Sequence, residues 1–161
     1  METTKVTRTA AIVAVVLLLA AFAAPVAAAT STTTQGSFAV FASGPELGYD
    51  SIVGTATMKR DKETEVEVEV ESGLVAGLEY GSHVHDEPCD QNDANGHYFF
   101  DAPVPHGDGP NGDEIWPGPF TATSDGGGEG KTMVGAIAGP DAVSVVIHAP
   151  SGAKIACADL E

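Results

Sequence analysis

The stretch that most constrains this chain is ETEVEVEVE, residues 63–71. Successive side chains of a strand point to opposite faces, so Val66, Val68 and Val70 share one side and Glu65, Glu67 and Glu69 the other. Strict period two over nine residues predicts a strand packed on a core through its valines and open to water through its glutamates.

Other short runs fit the same class. SFAVFAS (37–43), SIVGTATMKR (51–60) and LVAGLEYGSHVHD (74–86) precede a long stretch rich in Gly, Pro, Asp and Asn, residues 87–130. KTMVGAIAG (131–139), AVSVVIHA (142–149) and AKIACAD (153–159) follow it. Short strands, many turn residues and no helical periodicity after residue 30 predict an all-β sandwich or barrel. A loop as long as 87–130 is usually functional in a compact domain.

The N-terminus has a different character. Lys5 and Arg8 precede the apolar run AAIVAVVLLLAAFAA (10–24), which Pro25 breaks before Ala27, Ala28 and Ala29. A basic start, a short apolar middle and an A-x-A end predict a signal peptide over 1–29, and hence a secreted or extracytoplasmic chain. An uncleaved N-terminal anchor, leaving the protein at the cell surface, is the alternative; the run is short for a membrane span. Residues 30–36, TSTTTQG, read as a flexible polar tether, which leaves 37–161 as one domain.

Export bears on the two cysteines, Cys89 and Cys157, which are expected to pair in an oxidising compartment. The chain carries a formal net charge of -16. Such a surface repels nucleic acid and anionic membranes. With 43% hydrophobic residues it does not indicate disorder, and the acidic excess fits a halophilic protein working in concentrated salt.

All five histidines lie beyond residue 80. His83 and His85 are two apart, so on a strand both rings face the same way and form half of a metal grip. His148 ends the buried-looking run AVSVVI, while His97 (NGHYFF) and His106 (VPHGDG) fall in the long loop. Taken singly, His97, His106 and His148 read equally well as ordinary polar residues, and an H-x-H pair also arises by chance on exposed strands. Their shared region, which also holds both cysteines, favours one site. A zinc site built from His106, Asp108 and Asp113 is a weaker reading, because HGDGPNGD is as well explained by a solvated acidic turn.

HVH at 83–85, Cys89, the Gly96-His97 pair, VVIHAPSG (145–152) and KIACADL (154–160) occur in the order found in the copper/zinc superoxide dismutase family. The chain resembles that family from about Ser37 to Leu160. The resemblance implies a Greek-key β-barrel of about eight antiparallel strands with a long metal-site loop. It also implies copper ligation by His83, His85 and His148, a bridging and proton-delivering role for His97, and a Cys89–Cys157 disulfide.

Three departures modify the expectation. His106 matches a zinc ligand, but Trp116 and Pro119 stand where the family has its further histidine and aspartate, so zinc is expected to be absent. Only APSGA separates His148 from Lys154, leaving no room for the family's charged guiding loop. These two departures resemble the copper-only branch, in which an acidic side chain can hold the former bridging histidine; Asp113 and Glu114 are the candidates. Lys154 stands where the family has an arginine that holds the anionic substrate; it keeps the charge and loses the planar grip, and reads equally as a solvated strand residue.

The expected function is therefore an exported copper-dependent superoxide dismutase acting on superoxide. A non-enzymatic copper-binding or surface module on the same fold is the alternative. The aromatic residues Tyr98, Phe99, Phe100 and Trp116 are expected in the core by default.

Overall fold

The computed structural model describes residues 31–100 and 113–161. Among these, nine strands form two antiparallel sheets. They are β1 (Thr32–Ser37), β2 (Ala39–Val40), β3 (Val53–Arg60), β4 (Thr64–Ser72), β5 (Glu79–His85), β6 (Phe120–Thr121), β7 (Gly128–Val134), β8 (Ser144–His148) and β9 (Lys154–Asp159). One sheet has the order β1-β3-β4-β7 and the other β2-β9-β8-β5-β6. The architecture is an open β-sandwich and not a closed barrel.

The ETEVEVEVE run forms β4 from Thr64 onward. Val66, Val68 and Val70 are buried, and Glu67 and Glu69 face solvent. From the opposite sheet Tyr80, Val84, Val145, Ile147 and Ile155 meet those valines, with Met58 of β3 completing the layer. Burying a side chain of this size contributes about 1.5–3 kcal/mol, so the alternation itself drives the two sheets together. On the outer face Lys131 pairs with Glu65 at 3.1 Å and reaches Glu67 at 3.8 Å. Glu69 and Glu129 stand directly opposite each other on β4 and β7.

The tether reading of 30–36 is corrected over most of its length. Residues Thr32 to Ser37 form β1 and pair with β3 from Thr32↔Arg60 to Ser37↔Thr55. An edge strand gains its stability from backbone bonds and needs no apolar face, so a threonine-rich run serves well. Gly36 is required there: a Cβ on it would lie 1.9 Å from the Asp159 carbonyl oxygen, where β1 crosses the C-terminal strand. The run 37–43 is also not one strand. Its Phe38 turns into the core between β1 and β2, and the chain passes from one sheet to the other.

The signal-like segment 1–29 lies outside the described residues, as do His106 and Asp108. Among the described residues no helix is long and apolar enough to cross a membrane.

Candidate metal centre

The strand alternation that builds the core also builds the site on its reverse side. Along β5, Tyr80, Ser82 and Val84 face inward, which turns Gly81, His83 and His85 outward. β8 pairs with β5 in the register Gly81↔His148, His83↔Val146 and His85↔Ser144, so His148 emerges on the same outer face. β9 continues the pattern by setting Lys154 beside His148 and Cys157 beside Val146.

His97 arrives from the loop. It bridges to His85 through the backbone, and the next residue donates from Tyr98 N–H to the Val84 carbonyl at 2.9 Å. Four imidazoles therefore converge. The His83 ring centre lies 4.0 Å from that of His97 and 4.5 Å from that of His148, and His85 is 5.1 Å from His97. One nitrogen of each of His83, His85, His97 and His148 falls within 4.8 Å of the others.

Hydrogen bonds on the far side of the rings decide which nitrogen faces inward. His85 Nδ1 donates to the Ala94 carbonyl at 2.9 Å, and His148 Nδ1 to the Gly152 carbonyl at 3.0 Å. A carbonyl can only accept, so both rings carry their proton on Nδ1 and keep an Nε2 lone pair. His97 Nδ1 donates to Glu114 Oε1 at 2.9 Å, which likewise frees its Nε2. The inward atoms His83 Nδ1, His85 Nε2 and His148 Nε2 are buried without a hydrogen-bond partner among the described residues. Unpartnered ring nitrogens converging on one point are costly unless a cation takes up their lone pairs. The donor set fits a metal ion.

Electrostatics agree with that chemistry. Burial, followed by neighbouring His97, His148 and His85, pushes the His83 imidazole down to about 2. Burial pushes His85 down to about 3, and it lowers His148. All three remain neutral at ordinary pH, the form in which imidazole ligates. Lys154 lies close by, its ammonium held below its ordinary value by burial.

Glu114, of the two acidic candidates, is the residue that holds His97. Its carboxylate is buried, with 3% of the side chain exposed, and its second oxygen accepts from Trp116 Nε1 at 2.8 Å. Two donors on one buried carboxylate offset its desolvation. Asp113 contributes its backbone carbonyl to Phe100 N–H at 2.8 Å. The short pairing of Phe99 with Glu114 sets which acidic residue reaches His97.

The default core placement of the aromatics holds for Tyr98, which is buried, and for Phe100, which packs against the core at its edge. Trp116 is instead a wall of the site, its ring centre 4.0 Å from that of His83. Phe99 flanks His97 at 6.2 Å. The four-histidine site opens on a depression of about 450 Å³ bordered by His83, His97, His148, Trp116, Pro119 and Pro150. Trp116 and Pro119 thus both stand at the site and supply no metal-binding atom to the cluster.

Cys89 and Cys157 form a disulfide that spans 68 residues. It fixes the loop to β9, assisted by Cys89 N–H donating to Asp159 Oδ1 at 2.8 Å. Phe41, Ala94, Val146 and Cys157 make a small apolar cluster beneath it, so the residue whose carbonyl orients His85 is itself packed under the disulfide. Closing a loop of that length contributes about 4 kcal/mol through the unfolded chain.

Sequence reasoning missed Gly81, Ala94 and Gly152. A Cβ on Gly81 would lie 3.6 Å from His83 Nε2, against the site's open side. Ala94 and Gly152 act through backbone carbonyls, which leave no signature in side-chain pattern. Compared with models of known protein families the chain matches none, and it matches none of the curated proteins.

Proposed function

We propose that this protein is an exported copper-dependent superoxide dismutase of the copper/zinc superoxide dismutase type, with copper and without zinc. The observation that carries the reading is the all-imidazole cluster with its lone pairs turned inward. Three or four nitrogens without carboxylate suit copper, which tops the divalent affinity series. Bound there, copper would supply the one-electron couple that takes an electron from one superoxide and returns it to another, the net change being two superoxides and two protons to oxygen and hydrogen peroxide.

His83, His85 and His148 would hold the ion from the rigid sheet face through Nδ1, Nε2 and Nε2. His97 would hold it through Nε2 and is the one ring with substantial exposure, 28% of its side chain. That nitrogen can carry a proton in from the depression while Nδ1 stays committed to Glu114. The same commitment supports the zinc-free reading, because the ring nitrogen that would face a second metal already has a carboxylate partner. Lys154 places a positive charge beside the cluster, and Trp116 excludes water from one side of His83. The disulfide and the signal-like N-terminus support export.

One observation favours a second reading, a copper-binding module without turnover. Lys154 Nζ donates to the carbonyls of Asp93 and Asn95 at 2.6 and 2.5 Å, which commits two of its three N–H groups. Metal analysis of the purified protein followed by a superoxide-decay assay, with and without cyanide, separates the two. Cyanide-sensitive decay that scales with copper content is expected; copper bound without decay would leave the module.

A further inference from the structure

The turn that carries the Ala94 carbonyl runs against the preference of its residues. Asn92, Asp93, Ala94 and Asn95 have φ of 49, 51, 62 and 48°, and none is glycine. The left-handed region costs L-residues about 1–2 kcal/mol each, with Asn and Asp the most tolerant. Such a run persists only where its surroundings hold it.

Asn92 Nδ2 donates to Glu87 Oε2 at 3.0 Å and Asn95 Nδ2 to Asp86 Oδ1 at 3.2 Å, and the three successive carbonyls of the turn are held from the sheet. Those of Asp93 and Asn95 accept from Lys154 Nζ, and the one between them, Ala94, accepts from His85 Nδ1. Lys154 is in turn anchored in β9 opposite His148. We infer that Lys154 is a positioning residue for His85: its ammonium clamps the left-handed turn so that the Ala94 carbonyl meets His85 Nδ1, which keeps the inward Nε2 free of a proton. The clamp is a property of the metal-free protein and does not depend on which metal binds or on turnover.

The test is long-range proton–nitrogen NMR of the histidine rings in the metal-free full chain, with chelator-competition titration of copper alongside. His85 is expected as a single Nδ1–H tautomer. Lys154→Met, which keeps the apolar stem and removes all donors, is expected to give mixed tautomers at His85 and about a tenfold loss of copper affinity. Lys154→Arg restores both. In an Asp93→Gly background, where glycine takes a positive φ without strain, the Met substitution has a smaller effect. A single Nδ1–H tautomer with unchanged affinity in Lys154→Met would overturn the clamp. So would an undiminished effect in the Asp93→Gly background. The Val66 and Val145 methyl signals report the core in the same samples; their collapse in Lys154→Met would also overturn it, because Lys154 would then be supporting the fold as a whole.

Discussion

Glu114→Gln conserves size and removes one acceptor, which isolates the contact that sets His97. The carboxylate now takes two donors, His97 Nδ1–H at 2.9 Å and Trp116 Nε1–H at 2.8 Å. Glutamine has one acceptor oxygen and an NH2 that only donates, and the indole nitrogen cannot accept. If the amide oxygen turns to Trp116, the NH2 faces His97 and forces its proton onto Nε2, the atom aimed at the cluster. If the oxygen turns to His97, two buried donors confront each other, which costs about 1–3 kcal/mol. Either way copper affinity should fall about 10–100-fold, equivalent to about 1.4–2.8 kcal/mol. Urea unfolding of the metal-free protein should show a loss of about 1–3 kcal/mol. Competition titration against a chelator measures the first effect and far-ultraviolet circular dichroism the second. Affinity within about twofold of wild type, with the same unfolding midpoint, would refute the tautomer argument for His97.

Other outcomes follow from the same geometry. His83 and His85 are held neutral, near 2 and 3, against about 6.5 in the unfolded chain. Their folded values are depressed, so the stability linked to them is complete above about pH 6.5 and is lost as pH falls toward 3. Below about pH 6.5 the loss is about 1.4 kcal/mol per pH unit for each proton that the unfolded chain takes up and the folded rings do not. Urea midpoints of the metal-free protein should therefore drop steeply below pH 6, and His83→Asn should flatten the slope; equal slopes would contradict the burial argument. Replacing both Cys89 and Cys157 by Ser should cost about 4 kcal/mol in chemical denaturation and weaken copper binding through a loosened Ala94 carbonyl, whereas unchanged affinity would show that the disulfide is not needed to hold that carbonyl. Because Glu69 faces Glu129 in a chain of formal net charge -16, added sodium chloride should raise the melting temperature, and Glu69→Lys should reduce that salt dependence. A melting temperature indifferent to salt would remove the basis for the halophilic reading.

The inward and outward faces of β4 and β5 were legible because period two is a direct consequence of strand geometry, and it placed His83 and His85 on one face before any fold was known. The convergence of His148 depends on the β5–β8 register, which the alternation alone could not give; the resemblance implied only that His148 joins His83 and His85 as a ligand. Residues 32–36 were misread because a polar edge strand differs from a tether only in whether its backbone finds a partner. The choice between Asp113 and Glu114 was open for a similar reason: adjacent residues differ in direction only once the pairing with Phe99 is fixed. The left-handed turn at 92–95 was only partly legible: Asn92, Asp93 and Asn95 tolerate such a conformation, but Ala94 carries no preference for it, and Lys154, which takes two of its carbonyls, lies 59 and 61 residues further along the chain.

Whether the four imidazoles form one copper centre is read most directly from the electron paramagnetic resonance of the protein titrated with Cu(II). A single site that saturates at one equivalent, with hyperfine structure from three or four nitrogens, is expected from His83, His85, His97 and His148. A spectrum of oxygen-ligated copper, or continued uptake onto the acidic surface without a saturating nitrogen signal, would contradict it.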